Sequence, residues 1–125
     1  MFETALEPDE IITKVSFPLA KKAGYEKFRN QASRFALVGV FVSKRGSDIR
    51  VAVTGAGSSG VFRVKSFEEA LKKRFAAKSL EGLTIPADSM NSDIHGSAEY
   101  RAHLVGVMAR RAVARANEAP GEGEE

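Results

Sequence analysis

The sequence predicts an α+β domain in which an antiparallel sheet of three or four strands carries helices on one face. Three observations predict it. Residues 35–42 form a nearly unbroken apolar run with β-branched side chains, the pattern of a central strand. Lys44-Arg45-Gly46-Ser47-Asp48 is turn chemistry, and beyond it Ile49, Val51 and Val53 alternate with Arg50, Ala52 and Thr54. That alternation is the period of a strand with one buried face, so the two runs make an antiparallel hairpin. Finally, residues 98–116 read as one long helix, apolar around most of its circumference, which needs a sheet to lie on.

Taken in order, residues 1–9 are an irregular lead-in. Ile11, Thr13, Val15 and Phe17 alternate with Ile12, Lys14 and Ser16, which predicts a strand over 10–17 that Pro18 ends. Residues 19–23 read as a connection. Tyr25-Glu26-Lys27-Phe28-Arg29-Asn30 is a polar arm bearing cations and hydrogen-bond donors. It is either a solvated edge or part of a ligand or domain interface. The hairpin strands are expected at 36–43 and 48–55, with a fourth at 60–64.

Between the last two stands Gly55-Ala56-Gly57-Ser58-Ser59-Gly60, which spells G-x-G-x-x-G. As a dinucleotide fingerprint, that pattern needs its third glycine to open a helix whose N-terminus meets a pyrophosphate. Here Val61-Phe62-Arg63-Val64 follows and alternates like a strand. The loop therefore reads first as a strand connection and second as a phosphate or flavin contact.

Ser66 and Glu69 have capping-box spacing, and Phe67, Ala70, Leu71 and Phe75 form an apolar stripe, predicting a helix over 67–75. Residues 76–82 suggest a short helical segment or turn closed by Gly82. Leu83, Ile85 and Met90 are expected to be small hydrophobic plugs, and Pro86 breaks regular structure. Ser97 is placed to cap the long helix. Within it, Tyr100, Leu104, Val107 and Met108 share one flank, and Val105, Ala109, Ala112 and Ala116 a second. His103 and Arg110 fall on the remaining, wet face. Arg101 points into the apolar arc, where it either snorkels or pairs with Asp93, Glu99 or an acidic partner surface. Residues 117–125, NEAPGEGEE, are expected to be a disordered acidic tail.

Composition narrows the function classes. A chain of 125 residues with 43% apolar and 28% charged residues has the material for one globular core. Nineteen Lys and Arg against sixteen Asp and Glu leave a net charge of only +3, interspersed along the chain, which argues against a nucleic-acid binder. No stretch is apolar enough to span a membrane and no signal-peptide pattern is present, so a cytoplasmic chain is expected. Zero cysteines exclude disulfides, thiol nucleophiles and cysteine-ligated clusters. His95 and His103 lack the i, i+4 spacing of a helical metal pair, the serines have no nucleophile elbow, and the carboxylates are dispersed. No catalytic and no metal-ligating residue is assigned.

Three stretches together carry a resemblance: GYEKFRNQASRFALVGVFV at 24–42, the glycine loop with Val61-Phe62-Arg63, and SDIHGSAEYRAHLVGVMARRAV at 92–113. They resemble the C-terminal domain of the FAD-containing medium subunit of molybdenum hydroxylases, in the carbon monoxide dehydrogenase branch. The opening FETALEPDEIITKVSFP is similar to the segment by which such subunits leave their flavin-binding domain. S-A-E-Y-R-x-H-L at 97–104 is the most specific part. The resemblance implies a carbon monoxide dehydrogenase flavoprotein C-terminal-domain-like fold that completes a flavin site and a subunit interface. It divides the chain into a linker strand at 1–20 leaving a missing flavin-binding domain, the α+β domain at 21–116, and the tail at 117–125.

By the same resemblance, electrons from a molybdenum-containing large subunit pass through two-iron two-sulfur clusters in a small subunit to the FAD, then to an acceptor. Tyr25 and Lys27 match the family's Y-x-K-F stretch and are implied to be flavin-proximal. Two departures matter. The loops that hold the FAD pyrophosphate in such proteins lie upstream and are not in this chain, so no FAD is expected on the chain alone. Xanthine-dehydrogenase-like relatives carry paired acids where Ser33 and Arg34 stand here, so those contacts do not transfer. The alternative is a free-standing α+β module that uses the same arm for a small anion or a protein partner, without catalysis.

Overall fold

The computed structural model describes residues 4–118. Four antiparallel strands lie in chain order: β1 (Lys22–Arg29), β2 (Ala36–Arg45), β3 (Asp48–Thr54) and the short β4 (Phe62–Arg63). Two helices, α1 (Lys65–Lys73) and α2 (Ala98–Glu118), complete the α+β fold with a 3₁₀ turn at Ala77–Leu80. The expected hairpin is β2 and β3, paired from Gly39↔Thr54 to Arg45↔Asp48. Gly46 opens its turn at φ 58°, a conformation that costs a residue without a Cβ nothing.

One strand is not where the sequence suggested. Residues 10–17 carry no strand, and Ile11 and Phe17 are 83% and 78% exposed. Alternation alone does not make a strand; it needs a neighbour to bond and a face to bury. The arm supplies the strand instead: β1 pairs with β2 from Lys22↔Lys44 to Arg29↔Ala36, with an irregularity at Phe28/Arg29. Its inward positions are Gly24, Glu26 and Phe28, a sequence with almost no apolar period to read. Gly24 is there because α2 passes directly over it. A Cβ at Gly24 would run into the Ala112 carbonyl and the Ala116 nitrogen.

Helix α1 begins at Lys65, capped by Val64 without a side-chain hydrogen bond, so the expected Ser66–Glu69 capping box is not formed. The reason lies in the sheet. Val64 N–H donates to Val51 O at 3.0 Å, so the chain turns into the helix straight from the edge of β3 and leaves Ser66 already inside it. Ser97, by contrast, caps α2 as expected, its Oγ accepting from Tyr100 N–H at 3.1 Å.

The core lies between the sheet and the helices. Val38, Val40, Val42, Val51 and Val53 meet Leu104, Val105, Met108, Ala109, Ala112 and Val113 of α2, with Phe67 and Leu71 of α1 closing one end. Of the two apolar flanks of α2, Val105, Ala109, Ala112 and Ala116 are buried throughout. On the other, Leu104 and Met108 are buried, Val107 is half-buried and Tyr100 is exposed, while His103 is exposed and Arg110 half-buried. Asn117 and Glu118, expected in the tail, still belong to α2. Residues 119–125 lie outside the described residues.

Candidate functional site

With both helices on one side, the other face of the sheet is open. Cross-strand partners share a face, so the register lays out that surface in rows. Ala23, Ser43 and Arg50 form one row; Tyr25, Phe41, Ala52 and Arg63 the next; Lys27, Gly39 and Thr54 the third. Tyr25 and Phe41 are 41% and 43% exposed there, aromatic surface that a buried sheet face would cover. Gly39 leaves a hollow in the third row. The Tyr25 ring leans diagonally into it, its hydroxyl and Thr54 Oγ1 each occupying space that a Gly39 side chain would need. Lys27 is half-buried on the hollow's other side, and its Nζ reaches the Arg34 carbonyl at 3.5 Å. Both site residues picked from sequence therefore project from one strand onto one face.

Each end of this face is shaped by another segment. Phe17, Pro18, Leu19 and Ala20 run beside the sheet and enclose with Phe41 and Arg50 a groove of about 500 Å³. At the opposite end, Asn30, Ser33, Phe35, Asp93, His95 and Arg101 line a cleft of about 250 Å³. The turn behind it holds Arg34 at φ 61° and is closed by Asn30 N–H donating to Phe35 O at 2.9 Å.

Arg101 organises that end. Only 4% exposed, it donates through Nη1 to Leu37 O at 2.9 Å and Gly55 O at 3.2 Å, and through Nη2 to Asp93 Oδ1 at 2.9 Å. Its Nε is buried without a partner. Of the readings open from sequence, pairing with Asp93 is the one realised. The side chain also ties the start of β2 to the end of β3 and to the 93–96 turn. The His95 N–H holds the Asp93 carboxyl below its ordinary range, aided by Arg101 and opposed by partial burial.

A second buried charge guards the sheet edge. Where β4 stops, the Val51 N–H is satisfied by Glu68 Oε1 at 3.1 Å, and the same carboxylate takes a fork from Arg63 at 2.8 and 3.0 Å. Burial pushes the Glu68 carboxyl up, but the Arg63 and Val51 hydrogen bonds outweigh it and leave it lowered.

The sequence has counterparts among known proteins. A sequence model described as the CO dehydrogenase flavoprotein C-terminal domain matches residues 23–116. The chain belongs to that family. Among curated relatives of this flavoprotein domain, the chain is 37% identical to the nicotine 6-hydroxylase medium subunit of Paenarthrobacter nicotinovorans, over 92% of this chain and 44% of the relative. It is 30% identical to the carbon monoxide dehydrogenase medium chain of Afipia carboxidovorans, over 90% of this chain and 43% of that protein. The chain thus spans less than half the length of either. No solved structure matches it.

In this flavoprotein domain the glycine loop is a strand connection, as its context implied. Its backbone is engaged by the 87–91 segment: Ser58 N–H donates to Ser89 O at 2.8 Å, Asn91 N–H to Ala56 O at 2.7 Å, and Asn91 Nδ2 to Gly57 O at 3.2 Å. A strand, not a helix, follows it. His95 and His103 are both exposed, the first in the 93–96 turn and the second on α2. Among the described residues no three His, Cys, Asp or Glu side chains converge as a metal site, and no helix is long and apolar enough to cross a membrane. Sequence reasoning missed Gly39 and Glu68. An isolated glycine inside an apolar strand run was the available signal for the first. Nothing in the pattern marked Glu68.

Proposed function

We propose that this chain is the C-terminal domain of the FAD-containing electron-transfer subunit of a molybdenum hydroxylase. Its open sheet face docks on a flavin-binding domain, with Tyr25 and Lys27 beside the flavin. The observation that carries the reading is the row Lys27–Gly39–Thr54 under the Tyr25 ring. It is a hollowed, partly aromatic surface on a face that no described helix covers. A planar ring fits such a face, because the glycine leaves a recess, the tyrosine offers a flat edge and the lysine a cation. The length of the two medium-subunit relatives supports a further domain for that face to meet.

When bound, FAD accepts electrons from a partner centre and passes them to an acceptor. This chain's own residues shape its surroundings. Lys27 supplies a positive charge whose attraction grows as negative charge accumulates next to it, which favours the reduced state of the cofactor. Tyr25 and Phe41 exclude water from the docked face. The exposed stretch 10–20 is the connection to the flavin domain, and its apolar side chains are covered by that domain on docking. The molybdenum-containing large subunit and the iron–sulfur small subunit are the partners this places around the assembly, in the cytoplasm. The isolated chain holds no FAD and is inactive.

The test is the flavin midpoint potential of the full-length subunit carrying Lys27→Met. The expected outcome is a lower potential, on the order of tens of mV for one charge near the protein surface, with flavin occupancy unchanged. An unaltered potential at full occupancy would leave Lys27 a surface charge and remove the role.

A further inference from the structure

We propose that Gly39 is a positioning residue: the side chain it lacks is what lets the Tyr25 ring lie across β2, and so fixes where the Tyr25 hydroxyl stands. The inference rests on the reading that Tyr25 meets the flavin, and adds to it the element that aims the ring.

Gly39 sits inside an otherwise apolar strand run, Leu37-Val38-Gly39-Val40-Phe41-Val42, where a larger residue would serve the sheet better. Two ordinary reasons for a strand glycine fail here. Its φ is not in the left-handed region, which among the described glycines is reserved to Gly46, Gly55, Gly60 and Gly82. Nor is backbone the nearest neighbour of its missing Cβ, unlike Gly24, whose missing Cβ makes way for α2. The three nearest atoms that a Cβ at Gly39 would meet are all side-chain atoms: the Tyr25 hydroxyl at 2.5 Å, Thr54 Oγ1 at 2.6 Å and Tyr25 Cε2 at 3.1 Å. The space is therefore kept for Tyr25.

The register explains why this aims the ring. Tyr25 stands directly opposite Phe41, and Gly39 is the diagonal neighbour on the same face, opposite both Lys27 and Thr54. Aromatic side chains reach diagonal neighbours across a sheet. With Phe41 filling the direct position and nothing at 39, the ring tips into the hollow and delivers its hydroxyl into the row of Lys27. The ring stays 41% exposed, one side on the glycine backbone and the other toward whatever covers the sheet. The closest clash of a methyl group at 39 is with the far end of the Tyr25 side chain, so the tyrosine is the group that gives way.

The experiment compares Tyr25→Ala, Gly39→Ala and the double variant in the flavin-loaded full-length subunit. The readouts are the visible circular dichroism of the flavin, its midpoint potential and the melting temperature. Gly39→Ala is expected to reproduce most of the Tyr25→Ala change in both flavin signals while melting near the parent temperature. The double variant should change no further than Tyr25→Ala alone, since the glycine acts only through the tyrosine. If Gly39→Ala does not fold, adding Thr54→Ala removes one of the two crowding groups and leaves the clash with Tyr25 to be measured. A wild-type flavin signal in Gly39→Ala beside an altered one in Tyr25→Ala overturns the inference and leaves the flavin reading standing. So does an additive double variant. A silent Tyr25→Ala removes Tyr25 from the flavin, and the inference falls with that reading.

Discussion

Glu68 does two jobs that a strand would otherwise share. Its carboxylate accepts the edge N–H of Val51 and neutralises the Arg63 fork, so β3 needs only two residues of β4 beside it. Because its folded-state pKa is lowered, Glu68 contributes stability that is fully present above its ordinary value of 4.5 and is lost as pH falls through the folded value. Glu68→Gln keeps an acceptor for Val51 but faces Arg63 without charge. At neutral pH it should cost about 1–3 kcal/mol, the range for charge-assisted bonds and buried donors left poorly paired. In urea titrations the gap to the parent should close as pH drops below 4.5. Parallel pH curves for the two proteins would show that Glu68 carries no such linkage. Arg101 works the same way at the other end of the sheet, through two carbonyls and Asp93. Its direction into the apolar arc was legible from helical phase. Its carbonyl partners were not, because Leu37 and Gly55 offer only backbone, which a sequence does not distinguish.

At the scale of elements, legibility followed the strength of the apolar period. The β2–β3 hairpin and α2 each repeat their apolar residues over two or more turns of pattern, and both formed where expected. The contrast inside α2 can be measured. Leu104 is buried among the sheet valines and His103 faces water. Leu104→Ala should cost about 2–5 kcal/mol through lost transfer energy and a cavity, and His103→Ala about 0.5 kcal/mol or less. Equal losses in a urea titration would mean that the helix presents different faces from those described. Strand β1 was illegible for a physical reason. An edge strand keeps polar residues outward, and its inward positions are a glycine under α2, Glu26 paired with Arg115, and a Phe28 that stays partly exposed. The alternating stretch 10–17 failed in the opposite sense, having the period of a strand but no described neighbour to pair with.

The whole molecule is two-sided: helices and core on one face of the sheet, Tyr25, Phe41 and Lys27 on the other. Tyr25 and Lys27 were picked through a motif resemblance, and the structure adds that they share a face beside one hollow. Gly39 and Thr54, which complete that hollow, belong to other strands, so only the register brings them together. On the proposed function, this surface is half of a site whose other half is a flavin-binding domain; the two relatives that match are medium subunits of more than twice this length. The most direct test is the visible spectrum of this chain purified alone, of the flavin-binding domain alone, and of the two co-expressed. The expected result is a colourless chain that co-purifies with the flavin domain and shifts its flavin bands. Near-stoichiometric FAD retained by the chain alone after gel filtration, or flavin bands indifferent to its presence, would contradict a site completed across the open face.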